Sequence, residues 1–209
     1  MHLLLVHGMG RTRLSLLRLA RFLRRQGHAT EQVGYVAAVE PFERIVARTR
    51  RRLKAIAATS QPYAVIGHSL GGLILRAALD GVTPAPQHLI MLATPNQAPR
   101  LAQRLHRFWP YRVFCGESGQ LLAQPDFLVH VPRPTGPCTI IAGSAGPRGR
   151  WSPFEGAIND WVVAVEETKF RPDDQPVVLP VGHTFMMNDR RVHAVIREAL
   201  GGSLWNPRD

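Results

Sequence analysis

Short apolar segments alternate along this chain with longer segments whose apolar residues recur every three or four positions. Residues 3–6 are continuously apolar, as in a strand that is buried on both faces. The next segment, 12–26, places Leu16, Leu19 and Leu23 at helical spacing. Because this order of strand and then helix recurs, the pattern predicts an α/β fold with a parallel sheet covered by helices on both faces.

The same pattern predicts six strands and four main helices. The predicted strands are 3–6, 32–37, 63–66, 88–92, 139–142 and 177–179. The predicted helices are 12–26, 42–58, 70–79 and 189–200. Residues 96–137 break the rhythm with many prolines and aromatic residues, which indicates a cap-like insertion with one or two helices, the first near 98–108. We therefore predict a single domain, 1–209, built on a six-stranded, mainly parallel sheet.

A serine motif follows the third predicted strand and precedes a predicted helix. Residues 67–71 read Gly-His-Ser-Leu-Gly, the G-x-S-x-G pattern of a nucleophile elbow. Such a sharp turn needs small residues on both sides of the serine, and Gly67 and Gly71 meet that need. The context of strand, turn and helix predicts that Ser69 is a nucleophile.

A glycine-rich loop follows the first predicted strand, where residues 7–10 read His-Gly-Met-Gly. In a fold with a nucleophile elbow, this loop supplies one oxyanion-hole amide, and the residue after the serine supplies the second. The backbone amides of Met9 and Leu70 are therefore the predicted oxyanion hole. Gly8 and Gly10 would permit close approach of the backbone.

The expected chain order of a triad on this scaffold is serine, then acid, then histidine. His183 follows the last predicted strand, which makes it the predicted base. Asp160 lies in the long loop after the fifth predicted strand and is the predicted acid. Glu155 in the same loop is the main alternative acid, and Glu166 and Glu167 are weaker ones.

These segments resemble the motifs of α/β-hydrolase-fold lipases and esterases, especially the small bacterial lipase-like group. The similar segments are 7–10, 67–72, 159–168 and 182–187. The resemblance implies the minimal α/β-hydrolase fold and a Ser69–His183–Asp160 triad. The acid motif of that family usually has glycine after the aspartate, whereas this chain has Trp161, whose indole is expected to crowd the loop or line the pocket.

A serine nucleophile with an oxyanion hole predicts ester hydrolysis through an acyl-enzyme, with no metal or organic cofactor. Two alternatives stay open from the sequence. A thioesterase or acyltransferase would use the same three residues, and a catalytically silent binding protein would keep only the scaffold. The expected substrate is a small-molecule or lipid-like ester.

Charge and hydropathy narrow the expected partners. The formal net charge is +11, and Lys54 and Lys169 are the only lysines, so arginine supplies almost all of the positive charge. No nucleic-acid-binding pattern accompanies these arginines, so no nucleic-acid partner is predicted. The positive charge does predict a weak contact with an anionic membrane surface. No apolar run reaches the length of a membrane span, and no signal-peptide core is recognisable, which predicts a cytoplasmic location. The sequence leaves the oligomeric state open.

Overall fold

A computed structural model describes residues 1–149 and 152–201, and its centre is a six-stranded sheet. The strands are β1 (His2–Val6), β2 (Ala29–Val33), β3 (Tyr63–His68), β4 (Leu89–Leu92), β5 (Cys138–Gly143) and β6 (Val177–Leu179). Their order across the sheet is β2-β1-β3-β4-β5-β6, and all five neighbouring pairs are parallel. This architecture confirms the predicted fold class.

Seven α-helices accompany the strands. They are α1 (Leu17–Arg25), α2 (Phe42–Ala57), α3 (Leu70–Leu79), α4 (Arg100–Leu105), α5 (Trp109–Leu122), α6 (Pro125–His130) and α7 (Arg190–Ala199). Within the described ranges, none of them is both long enough and apolar enough to cross a membrane.

The sheet separates two hydrophobic clusters, because successive side chains of a strand point to opposite faces. In β1, Leu4 and Val6 pack with α2 and α3, whereas Leu3 and Leu5 pack with α1 and α7. All four side chains have no exposed surface. Burial on both faces explains why the central strands are continuously apolar in sequence.

The second strand differs from its prediction. The sequence pattern placed it at 32–37, but it forms at Ala29–Val33, in register with β1 from His2↔Ala29 to Val6↔Val33. β2 lies at the edge of the sheet, where polar side chains can reach solvent. Because its residues are mostly polar, the pattern of apolar segments did not predict it. The apolar residues that follow β2 belong to a loop, in which Tyr35 and Ala37 are buried although they do not form a strand.

The segment between β4 and β5 also differs from its prediction. It holds three helices rather than one or two, and the first is α4 at Arg100–Leu105 instead of 98–108. Gly116 breaks α5 with φ 56° and ψ −152°, conformations outside the helical region. A side chain at this position would collide with the carbonyl oxygens of Ala37 and Ala38. The assignment of 96–137 as a cap within a single domain stays a prediction.

Candidate active site

Ser69 occupies the turn between β3 and α3 at φ 53° and ψ −123°, a left-handed conformation that costs energy for a residue with a side chain. Two hydrogen bonds support this turn. The Ser69 amide donates to the Leu92 carbonyl oxygen at 2.8 Å, and the Gly72 amide donates to the Ser69 carbonyl oxygen at 3.0 Å. The serine therefore stands at the N-terminus of α3, where the helix dipole favours negative charge.

The glycines on either side of Ser69 are required by close packing of the backbone. A Cβ atom on Gly67 would lie 2.5 Å from the backbone of Gly72. A Cβ atom on Gly71 would collide with the carbonyl oxygens of Val6 and His7 at the end of β1. Because backbone atoms cannot move aside as a flexible side chain can, the sharp turn depends on both glycines.

The structure brings His183 and Asp160 together, although 23 residues separate them. His183 Nδ1 lies 2.7 Å from Asp160 Oδ2, with both side chains buried. The other carboxylate oxygen, Oδ1, accepts hydrogen bonds from the amides of Val162 at 3.0 Å and Val163 at 2.7 Å. The His183 amide also donates to the Asp160 carbonyl oxygen at 2.9 Å. Three contacts therefore hold the carboxylate in place against the imidazole.

The alternative acids contact other groups. Glu155 is exposed, and its carboxylate forms an ion pair with Arg104 at 2.6 Å. Glu167 is buried, but its carboxylate accepts from the amides of Ala164 and Arg100. Burial raises the pKa of Glu167, although these hydrogen bonds oppose the shift. Glu166 forms an ion pair with Lys169 at 3.0 Å. The geometry thus favours Asp160 over the three acids that the sequence left open.

Trp161 shows why glycine suits the position after the aspartate. Its φ of 85° lies in the left-handed region, and its amide donates to Asn159 Oδ1 at 3.0 Å. The indole is exposed, and the cavity beside Ser69 is lined by Val162 and Val163 rather than by Trp161. The indole therefore leaves the Asp160–His183 contact intact at the cost of a strained backbone.

Two further histidines, His68 and His7, support the site. His68 is buried, and its Nε2 donates to the His183 carbonyl oxygen at 3.0 Å. Burial, together with the neighbouring His183, holds the pKa of His68 well below its usual value. His68 is thus a neutral link between the serine turn and the loop that carries His183.

His7 organises the loop after β1. Its Nδ1 donates to the Gly8 carbonyl oxygen at 2.9 Å, and its ring stacks on Tyr35 with 4.1 Å between ring centroids. The Tyr35 hydroxyl donates to the His7 carbonyl oxygen at 2.6 Å. Burial lowers the pKa of His7, which keeps the imidazole neutral in this network. Tyr35, which falls in the segment first predicted as strand, thereby anchors the glycine-rich loop.

The amides of Met9 and Leu70 are available at the site. Within the part of the chain that the structure describes, neither amide donates to a protein acceptor. Leu70 is the first residue of α3, and Met9 lines the cavity beside Ser69. Gly8 lets this loop approach the serine, because a Cβ atom there would lie 3.1 Å from Ser69 Cβ and 2.8 Å from His68 Nδ1.

A cavity of about 330 Å³ joins these groups. Ser69, His68 and His183 line it, and the largest group of its other lining residues comes from the segment between β4 and β5. We call this largely apolar group the apolar wall; it comprises Leu101, Ala102, Tyr111, Phe114, Cys115 and Leu122, with Pro95 and Pro99 beside them. Burial raises the pKa of the Cys115 thiol to about 11, so this cysteine is protonated at neutral pH.

Ser69 and His183 face the same cavity, but they are not directly bonded. Across residues 1–149 and 152–201, no hydrogen bond joins the Ser69 hydroxyl to the His183 imidazole. Hydrogen bonds of this kind are often long in ligand-free sites and tighten when substrate binds. The site therefore places a hydroxyl and an imidazole on one cavity, with a carboxylate bonded to the imidazole and with free amides and an apolar wall beside them.

Sequence comparisons identify no relative of this chain. No protein-family model matches it, and no curated protein matches it.

Solved structures do match its fold. A Bacillus licheniformis lipase, BlEst2, superposes with a TM-score of 0.72 at 16% identity, over 96% of this chain and 91% of that one. An extracellular alpha/beta-hydrolase from a Paenibacillus species has a TM-score of 0.64 at 13% identity, over 95% and 98% of the two chains. A thermophilic esterase from Thermogutta terrifontis has a TM-score of 0.60 at 17% identity, over 96% and 89%. These similarities, all at low identity, establish the shared architecture.

Proposed function

We propose that this protein, whose chain has the α/β-hydrolase fold, is a serine hydrolase that cleaves carboxylic esters. The observation that carries the proposal is the 2.7 Å contact between His183 Nδ1 and Asp160 Oδ2 at a cavity that also exposes Ser69. The lipases and esterases among its structural neighbours support the same reaction class.

The first step is attack by Ser69 Oγ on the ester carbonyl carbon. His183 donates a hydrogen bond from Nδ1–H to the Asp160 carboxylate and keeps this proton, so the lone pair of Nε2 is free to accept the serine proton. The Asp160 carboxylate then stabilises the imidazolium that forms. The bond between the carbonyl carbon and the alcohol oxygen breaks, and the imidazolium returns a proton to the departing alcohol.

Negative charge develops on the carbonyl oxygen during this attack. The amides of Met9 and Leu70 would donate to it, and the N-terminus of α3 would add its dipole. Each such donor contributes about 3 kcal/mol at the transition state. Water then attacks the acyl-serine with His183 again as the base, and the acid product leaves.

The apolar wall of the cavity would hold the acyl or alcohol part of the substrate. Leu101, Tyr111 and Leu122 offer hydrophobic surface, with few polar groups to orient a charged substrate. An uncharged carboxylic ester with an apolar substituent therefore fits this site better than a sugar or a phosphate ester.

A fluorophosphonate probe tests the nucleophile directly. The wild-type chain should become labelled at Ser69, and Ser69→Ala should abolish the labelling. Ser144→Ala is the matched control, because Ser144 also follows the carboxyl end of a strand but bonds the Leu179 carbonyl oxygen instead. Absence of labelling in the folded wild-type chain would refute the proposal.

The bond that is cleaved is tested with matched substrates. p-Nitrophenyl esters and acyl thioesters of equal chain length should be compared by kcat/KM. Faster turnover of the esters supports the proposal, whereas a clear preference for thioesters would assign the same three residues to a thioesterase.

A further inference from the structure

A group of exposed apolar side chains extends from the edge of the Ser69 cavity. Phe108, Trp109, Val113 and Phe114 form a continuous group at the start of α5, each more than half exposed. Phe114 also lines the cavity, so this group reaches its edge. We call Arg107, Phe108, Trp109, Arg112, Val113 and Phe114 the rim surface. Such a contiguous apolar patch on a soluble protein usually marks a binding surface.

The charge on the rim surface is entirely positive. Residues 95–116 include four arginines and no acidic residue. Arg100 and Arg104 lie near Glu167 and Glu155, respectively. Arg107 and Arg112 are exposed, and neither forms a salt bridge within the ranges that the structure describes. Two free cations therefore flank the exposed aromatic rings.

A second arginine–aromatic pair lies close to the cavity, outside the rim surface. Arg11 lines the cavity, and its guanidinium lies 5.3 Å from the ring centroid of Phe185. Phe185 follows His183 closely in sequence and is itself exposed. Aromatic rings and arginines thus occur next to the cavity in two parts of the chain.

We propose that the rim surface docks on an anionic lipid bilayer and places the opening of the Ser69 cavity against the membrane. Docking itself does not depend on ester hydrolysis. Only its purpose, which is to admit a lipid ester directly from the bilayer, rests on the proposed function. Arg107 and Arg112 would contact the anionic headgroups, and the rings of Phe108 and Trp109 would enter the interfacial region.

The chemistry of the surface favours a bilayer over other anionic partners. Aromatic rings partition into the headgroup region, while basic residues gain from the negative surface potential. Val113 adds an aliphatic side chain that offers nothing to a nucleic acid base by stacking. The surface also ends at an apolar cavity, which suits an acyl chain rather than a phosphate backbone.

Vesicle co-sedimentation tests docking separately from catalysis. The full chain carrying Ser69→Ala should be mixed with vesicles of phosphatidylcholine containing roughly one third phosphatidylglycerol. We expect binding at low ionic strength, much weaker binding to pure phosphatidylcholine, and a decline as salt screens the charges. This variant lacks the proposed nucleophile, so the measurement reports docking alone. Vesicle binding can therefore be interpreted even if the wild-type chain shows no esterase activity.

Paired variants distinguish the contribution of the rim surface to vesicle binding from that of the positive charge elsewhere on the protein. Arg107→Ala with Arg112→Ala should weaken vesicle binding about 25-fold, from roughly fivefold for each arginine. The matched control, Arg44→Ala with Arg51→Ala, removes two exposed arginines of α2 and should weaken it far less. Trp109→Ser should weaken binding, whereas Val129→Ser at the end of α6 should not.

Three outcomes would overturn the proposal. They are no binding to anionic vesicles, equal losses in the rim and control pairs, and tighter binding to a single-stranded oligonucleotide that the rim variants abolish. Hydrolysis of a short soluble ester should be unchanged in Arg107→Ala with Arg112→Ala, which shows that the variant is folded.

Discussion

Residues of the serine turn and of the segment between β4 and β5 line the same cavity, but the two regions are built differently. Residues 63–76, which include β3, Ser69 and most of α3, are all buried. The segment between β4 and β5 exposes Trp109 and Phe114 and bends at Gly116. Backbone contacts therefore fix the position of the candidate nucleophile, whereas the less buried segment contributes mainly side chains to the cavity.

A few polar contacts attach the less buried region to the rest of the fold. Arg76 of α3 donates to the carbonyl oxygens of Val131 and Pro132 and to Asn96 Oδ1. Glu117 of α5 accepts from the Phe42 amide at 2.7 Å. We therefore expect the chemistry of the site to tolerate almost no change, whereas its substrate preference should change readily.

The largest effect is expected at Asp160. Asp160→Asn should lower kcat roughly 10⁴-fold, because the amide no longer orients His183 or stabilises its charge. Hydrolysis of a p-nitrophenyl ester measures the loss. Glu155→Gln is the control and should leave kcat within about twofold, since this exposed residue pairs only with Arg104. The reverse result would transfer the acid role to Glu155.

Gly71→Ala should destabilise the fold by about 4 kcal/mol or more, because the new methyl group meets the carbonyl oxygens of Val6 and His7. Gly136→Ala is the matched change in the other region, where a Cβ atom lies at an ordinary 3.9 Å from the nearest atom. That variant should stay within about 0.5 kcal/mol of wild type. Urea unfolding compares the two, and equal costs would contradict the contrast.

Arg76→Met should cost about 3 kcal/mol, because it leaves the carbonyl oxygens of Pro132 and of the buried Val131 without their donor. Burial lowers the pKa of Arg76 to about 10, so the side chain is still charged at neutral pH. Thermal unfolding measures the cost, with the exposed Arg44→Met as control. A loss no greater than that of Arg44→Met would show that Arg76 does not hold the two regions together.

Acidification should weaken the buried region. Burial places the pKa values of His7 and His68 below that of an exposed histidine, about 6.5. As the pH falls below that value, the unfolded chain binds protons that the folded chain does not, so the free energy of unfolding decreases. Each group contributes up to about 1.4 kcal/mol per pH unit. Urea unfolding at about pH 7, 6 and 5 should show a shallower decline of this free energy in His68→Gln than in the wild type.

The smallest effect is expected on substrate preference. Leu101→Ala removes part of the apolar wall and so enlarges the cavity. It should shift the ratio of kcat/KM between long and short acyl esters about tenfold toward the longer chain. Val162→Ala is the comparison for Leu101→Ala. Val162 also lines the cavity, but it belongs to the loop that carries Asp160, and its amide donates to the Asp160 carboxylate. An unchanged ratio in Leu101→Ala would place the acyl group elsewhere.

Local patterns in the sequence were enough to predict the fold class and to single out Ser69, Asp160 and His183. The reason is that a buried parallel strand, a sharp turn and a helix start each have a signature within a few neighbouring residues. The confirmed fold then explains why residues at strand ends converge, since all six carboxyl ends lie on one edge of the sheet. The catalytic roles of these residues stay predictions until the variants are measured.

Other features depended on distant contacts. Apolar spacing along the chain was enough to predict the order of the elements, because it reflects which faces are buried. The position of β2 at 29–33 depended on its pairing with β1, which overrides its weak apolar pattern. The contact of Asp160, rather than Glu155, with His183 and the bond from His68 to the His183 loop also depended on the tertiary structure, because they link positions far apart along the chain. No local pattern encodes such distances.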